Sequence, residues 1–297
     1  MPEKTTAHIS SKTQIQPAIH GWEMFLNDQG RSPNTVKAFL ADLRLMATYF
    51  PPDQPLGTIT TNDINNFLSW MENDRGVPCS PKTLSRRITS IKAFFRWLST
   101  GGVILVNPAD KVVQKSVMSP TPTVLTPTEI DAIIGVAQKY FNAEKRDTRY
   151  YTLLQLLLST GIKKGECLNL KEIHVDFDKP LNPILFVRYS NPQHRYKERK
   201  IPLPTEWVDA YNEYKMDYDL TDKLFPWSPR RLEYLLEDLS NEAGIGKHLS
   251  FDMCRWTCAL TDWESGMEPD KIRQKLGISK VQWREVRMKL RRLSPKD

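Results

Sequence analysis

The chain has 297 residues, 40% apolar and 26% charged, enough for two ordinary domains and a composition that excludes a fibrous or wholly disordered polymer. Its formal charge of +7, from 42 Lys and Arg against 35 Asp and Glu, is too small an excess to identify a partner by itself. The longest apolar run, Leu153 to Leu158 with Gln155 inside it, is too short to cross a bilayer, and no signal or transit pattern is evident at the start, so a cytoplasmic protein with no membrane partner is expected.

Residues 1–14 are polar and unpatterned and are expected to be a flexible tail. Helix signals follow. Ile19, Trp22 and Leu26 recur at helical spacing. Ser32-Pro33 offers a cap followed by proline at the first helical position, and Val36, Phe39, Leu40, Leu43, Ala47 and Phe50 mark the apolar stripe behind it. Thr60 and Asp63 have capping-box spacing ahead of Ile64, Phe67, Leu68 and Met71. Ser80-Pro81 starts a fourth helix with Leu84, Ile88, Ile91, Phe95 and Leu98 inward, and Gly101-Gly102 ends it. A helical domain over 15–102 is therefore predicted. The polar face of its fourth helix carries Lys82, Arg86, Arg87 and Ser90, which suits a duplex as well as it suits plain solvent.

Residues 103–123, with Pro108, Pro120, Pro122, Lys111 and Lys115, are expected to be an extended basic linker. The second domain, 124–297, opens on Thr126-Pro127-Thr128-Glu129, a capping box with proline inside it. An apolar helix runs from about Thr148 to Gly161. Ile184-Leu-Phe-Val-Arg188 and Lys200-Ile-Pro-Leu203 read as two strands joined by a basic tip. Helices resume at Ser228-Pro229, near Ser250 and at Pro269-Asp270. The fold class expected is mainly α with a small β-sheet or hairpin, in two domains.

Charge is distributed in blocks. Arg75 to Ala109 holds six basic residues and no acidic one; Arg188 to Lys200 holds five Lys or Arg against one Glu; Arg284 to the end holds six against two. Separate basic segments suit phosphate contacts and plain solvated faces alike, so charge by itself leaves both readings open. The cysteines, Cys79, Cys167, Cys254 and Cys258, are scattered and fit buried thiols of a reducing compartment rather than a disulfide frame or a zinc site; no metal or other cofactor is expected.

In this order the segments resemble the tyrosine recombinase, or phage integrase, family over roughly residues 16–292. Ser32-Pro-Asn-Thr-Val-Lys-Ala-Phe-Leu-Ala-Asp-Leu and Ser80-Pro-Lys-Thr-Leu-Ser-Arg-Arg-Ile-Thr-Ser-Ile-Lys-Ala-Phe-Phe-Arg-Trp-Leu are similar to its core-binding domain. Thr160-Gly-Ile-Lys-Lys-Gly-Glu-Cys-Leu-Asn-Leu170, Lys197-Glu-Arg-Lys-Ile-Pro-Leu203 and Leu276-Gly-Ile-Ser279 are similar to its first box, hairpin end and last box. The resemblance implies a two-domain clamp on duplex DNA, and a phosphoryl transfer served by two arginines, a lysine, two histidine-type groups and a tyrosine. At those positions this chain has Lys163, His194 (with Lys197 and Lys200 as alternatives for the lysine), Asp252, Arg255, Ile278 and, where the tyrosine is expected, Arg287. Lysine lacks the fork of arginine, an aspartate opposes a phosphate, and isoleucine donates no proton. The last tyrosine of the chain is Tyr234.

From these departures the expectation is a DNA-binding protein with no catalytic residues and no enzyme activity, which recognises a site for a mobile element and recruits a transposase or an active recombinase, with self-association on DNA. Its expected DNA contacts are Lys82, Arg86, Arg87, Ser90, Lys163, Arg195, Lys197, Arg199, Arg230, Arg231, Lys247 and Arg255. The alternatives are a strand-cleaving enzyme with a displaced nucleophile, Tyr189 or Tyr196, and a protein-interaction subunit of a recombinase complex.

Overall fold

A computed structural model describes residues 9–77, 79–114, 120–177, 183–220 and 222–294. Residues 1–8 of the expected tail, linker residues 115–119 and the end 295–297 lie outside them. The chain divides into two compact units, Met1–Ser119 and Pro120–Asp297.

In the first unit, α1 (Ile15–Asp28), α2 (Pro33–Tyr49), α3 (Thr61–Asn73) and α4 (Pro81–Thr100) form where the caps and stripes place them. The Ser32 and Ser80 hydroxyls accept the N–H groups of Thr35 and Thr83, and Thr60 with Asp63 closes a reciprocal capping box. Ile19, Trp22, Leu43, Met46, Phe67, Phe94 and Phe95 are buried together. Two features correct the sequence reading. Asp42 on α2 is buried, and α4 satisfies it: Arg86 donates to Oδ2, Ser90 Oγ donates to Oδ2 at 2.7 Å, and Arg87 Nε stands 3.4 Å from Oδ1. Much of the expected linker is also packed. Ile104, Ala109 and Val112 belong to the same core, and Gln114 Nε2 donates to the Ser85 carbonyl at 2.9 Å. The prolines set the path, but apolar residues between them bind it to the unit's surface.

The second unit is built around α6 (Arg149–Thr160), on which α5 (Pro127–Asn142), α8 (Thr205–Asp217), α9 (Pro229–Glu242) and α10 (Phe251–Glu264) pack. Leu153, Leu154, Leu156 and Leu157 of α6 are fully buried, as its all-round apolar sequence requires. α6 ends at Gly161 with φ +58, where a side chain would meet Cys258 and Leu276 at 3.2–3.3 Å. A short helix α7 (Lys164–Cys167) follows at once.

Beside it lies an antiparallel sheet in the order β1 (Val175–Asp176), β2 (Ile184–Val187), β3 (Arg199–Pro202), with Leu185 opposite Ile201 and Val187 opposite Arg199. The tip between β2 and β3 contains a 3-10 segment, Pro192–Lys197. The chain then adds α11 (Pro269–Lys275) and α12 (Lys280–Leu293), which form a smaller core with Ala259 and Leu260 of α10. The fold class read from the sequence is the one found. α8 went unread because Pro204 gives it no side-chain cap and its inward residues, Trp207, Tyr211 and Tyr214, are aromatic rather than an aliphatic stripe.

Candidate nucleic-acid interface

Glu166 is the centre of the site. Its side chain is 3% exposed and accepts from three directions. Arg199 Nη1 and Nη2 donate to Oε1 and Oε2 at 3.0 and 2.8 Å, the Lys163 backbone N–H donates to Oε2 at 2.9 Å, and the Tyr189 hydroxyl donates to Oε1. Burial alone would raise the Glu166 carboxyl; the Arg199 fork and charge, the Lys163 N–H and the Tyr189 hydroxyl outweigh it and hold it at about 2. The same bond raises Tyr189, burial being the larger cause.

Two arginines then fasten this centre to the end of α11. Arg199 Nε donates to the Lys275 carbonyl at 2.6 Å, and Arg255 Nη2 donates to the Leu276 carbonyl at 2.6 Å, while Arg255 Nη1 donates to the Gly161 carbonyl. Cations at a helix C-terminus satisfy carbonyls that have no partner within the helix. Gly277, φ +58, lies against Arg199, and a Cβ there would fall 2.5 Å from its Nη1. Lys163 completes the group. Its ammonium stands 3.8 Å from Glu166 Oε1, and burial lowers it to about 8, with Glu166 opposing and Arg255, Arg199 and Lys197 adding to the shift.

Lys163, Asp252 and Arg255 line one cavity with Lys164, His248 and Ser250. Asp252 is exposed at the first turn of α10. His194 is half-buried on the hairpin tip, edge-on to Tyr189 at 5.8 Å between ring centres. Ile278 packs with the α10–α12 core. Ser279 caps α12, accepting the Gln282 N–H at 3.2 Å, and Arg287 is exposed on that helix.

Of the expected DNA contacts, Lys82, Arg86, Arg195 and Arg230 are exposed, Arg86 while paired to Asp42; Lys163, Lys197 and Arg231 are half-buried. Arg230 lies over the Tyr234 ring and donates to its hydroxyl at 2.6 Å. Others are turned inward. Ser90 is fully buried on Asp42, and Arg87 is 14% exposed there. Arg199 is 7% exposed on Glu166, and Lys247 donates to the Val124 carbonyl and to Glu129 at 3.0 and 2.6 Å. Arg255 spends both terminal nitrogens on backbone carbonyls. These five are turned to partners within their own unit: Ser90, Arg199, Lys247 and Arg255 donate to oxygen acceptors of the kind a phosphate offers, and Arg87 is held by the Asp42 charge and by contacts to the sulfurs of Met71 and Cys79. Glu166, which holds Arg199, lies in the first-box segment and is a site residue that the sequence reading does not pick out.

A model of the phage integrase N-terminal SAM-like domain matches residues 19–102, and a model of the phage integrase family matches residues 123–284. The chain belongs to the phage integrase family. It is 30% identical over 185 residues to a tyrosine recombinase of Thermosipho africanus, an alignment covering 62% of this chain and 61% of that one. It is 25% identical over 286 residues to the tyrosine recombinase XerA of Thermococcus onnurineus, covering 93% and 92%. The structure of a lambda integrase dimer bound to a COC′ core site shares the fold, with TM-score 0.72, 17% identity, and coverage of 93% of this chain and 77% of that one. These matches correct one expectation: an integrase-family chain whose relatives are named tyrosine recombinases groups with enzymes, and the reading of it as no enzyme is withdrawn. Among the described residues no helix is long and apolar enough to cross a membrane.

The Glu166 centre has a measurable signature. Its folded pKa lies below the ordinary carboxylate value, so its contribution to stability is complete above about pH 5 and disappears as pH falls toward about 2. Glu166→Gln is expected to be clearly less stable than wild type at neutral pH, with the gap closing as pH falls. Denaturant unfolding of both at several pH values checks this; a gap independent of pH contradicts it.

Proposed function

We propose that this chain recognises a site on duplex DNA and acts there in DNA recombination, several copies assembling on the DNA. The observation that carries the reading is the exposed basic hairpin tip beside the Lys163 cavity. Arg195 is exposed on the tip near Lys197 in the chain, and Arg188 and Lys200, exposed where the strands enter the hairpin, hold their cations over the Phe186 ring at 5.5 and 5.0 Å. Cations held on aromatic faces are pre-positioned without being neutralised, which suits phosphate contact. Arg230 at the start of α9 and Lys82 at the start of α4 extend the same chemistry, one in each unit. Assembly of several copies is supported by the dimer in which the similar lambda integrase binds its core site. Site recognition for a mobile element, with a DNA-processing partner recruited to the site, is the setting this reading fits.

The test is salt-dependent binding. The full chain is expected to bind duplex DNA with an affinity that falls steeply as salt rises. Arg195→Ala and Arg230→Ala should each weaken binding and reduce the salt slope by about 0.9, the loss of one phosphate contact. Arg255→Ala should lower thermal stability instead. Unchanged affinity and slope in both surface variants would overturn the reading.

One observation favours strand cleavage from the hairpin as a second reading. Tyr189 is tied to Glu166, but Tyr196 is 72% exposed with the Lys197 ammonium 5.2 Å from its ring centre. A nicked suicide duplex should then trap a covalent adduct that Tyr196→Phe abolishes and Tyr189→Phe leaves. No adduct, or one surviving Tyr196→Phe, rejects cleavage by this tyrosine.

A further inference from the structure

We propose that DNA binding by this chain is coupled to protonation of Lys163, so that the complex forms with uptake of a proton at mildly alkaline pH. The inference rests on the reading of the Lys163 cavity as part of the DNA-binding surface. Its ground is the charge count around one ammonium. Lys163 precedes α7 and faces Glu166 on that helix, Arg255 and Asp252 on α10, Arg199 on β3 and Lys197 on the hairpin tip; Lys164, Glu233 and His248 line the same cavity.

Of the acids, Lys164 holds Glu233 at 2.6 Å, and Asp252 is exposed to water. Glu166 already accepts the Arg199 fork, the Tyr189 hydroxyl and the Lys163 N–H, and at 3.8 Å from the Lys163 ammonium it offers an ion pair but no hydrogen bond. Lys163, Arg199 and Arg255 therefore draw on one committed carboxylate, with Lys197 adding a fourth positive charge and the exposed Asp252 acting on Arg255. Against the two arginines, the Lys163 ammonium is the group that can relieve the crowding by losing a proton, because a guanidinium stays charged throughout the accessible range. Burial moves it to about 8, where that loss happens near neutrality.

A phosphate oxygen entering this cavity brings the missing negative charge. It favours the ammonium and raises its affinity for the proton, and by linkage the protonated site binds phosphate more tightly. The balance is simple: one proton passes from buffer to the Lys163 amine as the complex forms, and no covalent bond changes. An arginine at this position would show no such coupling, so the property belongs to the lysine.

Titration calorimetry of the full chain with duplex DNA, in two buffers of different ionisation enthalpy, reads the proton directly. At about pH 8 wild type is expected to take up about half a proton per bound chain, and its affinity should fall about tenfold between about pH 7 and about pH 9. Lys163→Arg should bind at both pH values with neither proton uptake nor that fall. Lys163→Met should bind more weakly and likewise show no uptake. Equal proton uptake in wild type and Lys163→Arg would overturn the coupling while leaving DNA binding intact. Absence of salt-dependent binding at every pH would overturn the functional reading itself.

Discussion

A carboxylate taken out of water must be surrounded by donors, and Glu166 imposes that requirement on four separate segments of the second unit. The turn after α6 supplies the Lys163 N–H, the end of β2 leads to Tyr189, β3 supplies Arg199, and Arg199 in turn reaches the end of α11. Each bond to a charged group contributes about 1.5–3 kcal/mol when made and costs more when one partner is lost. The hairpin is therefore fixed at its base by an ion network, while its tip, Arg195 and Tyr196, remains in solvent.

The unit holds two kinds of cation. Arg199 and Arg255 are spent on the protein's own acceptors and set the geometry of the α7, β3 and α11 segments. Arg188, Arg195 and Lys200 keep their charge facing water. Lys163 stands between the two kinds: half-buried, lining a cavity, and paired at a distance to a carboxylate that others occupy. On the proposed reading phosphate contact falls to the second kind, to the exposed Arg230 and to Lys163, whose charges gain a partner on binding.

Much of this organisation was legible in the sequence. Ser32-Pro33, Thr60 with Asp63, Ser80-Pro81 and Thr126 with Glu129 marked helix starts through local chemistry that the structure repeats. The partners of the polar residues were not, since they are set by long-range packing. Ser90 and Arg87 looked like a solvent face because Asp42, 45 or more positions away, gives no local sign of turning inward. Periodicity did hold two warnings. Arg199 shares its strand side with Ile201, and Arg255 lies one helical turn from Phe251 and Cys258, both buried; alternation and the 3.6-residue repeat assign both arginines to the inside. Lys247 carried no comparable signal.

Whether the exposed cations or the internal ones meet DNA is decided most directly by hydrogen–deuterium exchange of the full chain with and without duplex DNA. The account predicts slowed exchange over residues 188–198 of the hairpin and at the starts of α4 and α9. The buried backbone around Glu166, already protected in the unbound chain, should change little. Unchanged exchange at the hairpin tip under saturating DNA would contradict it.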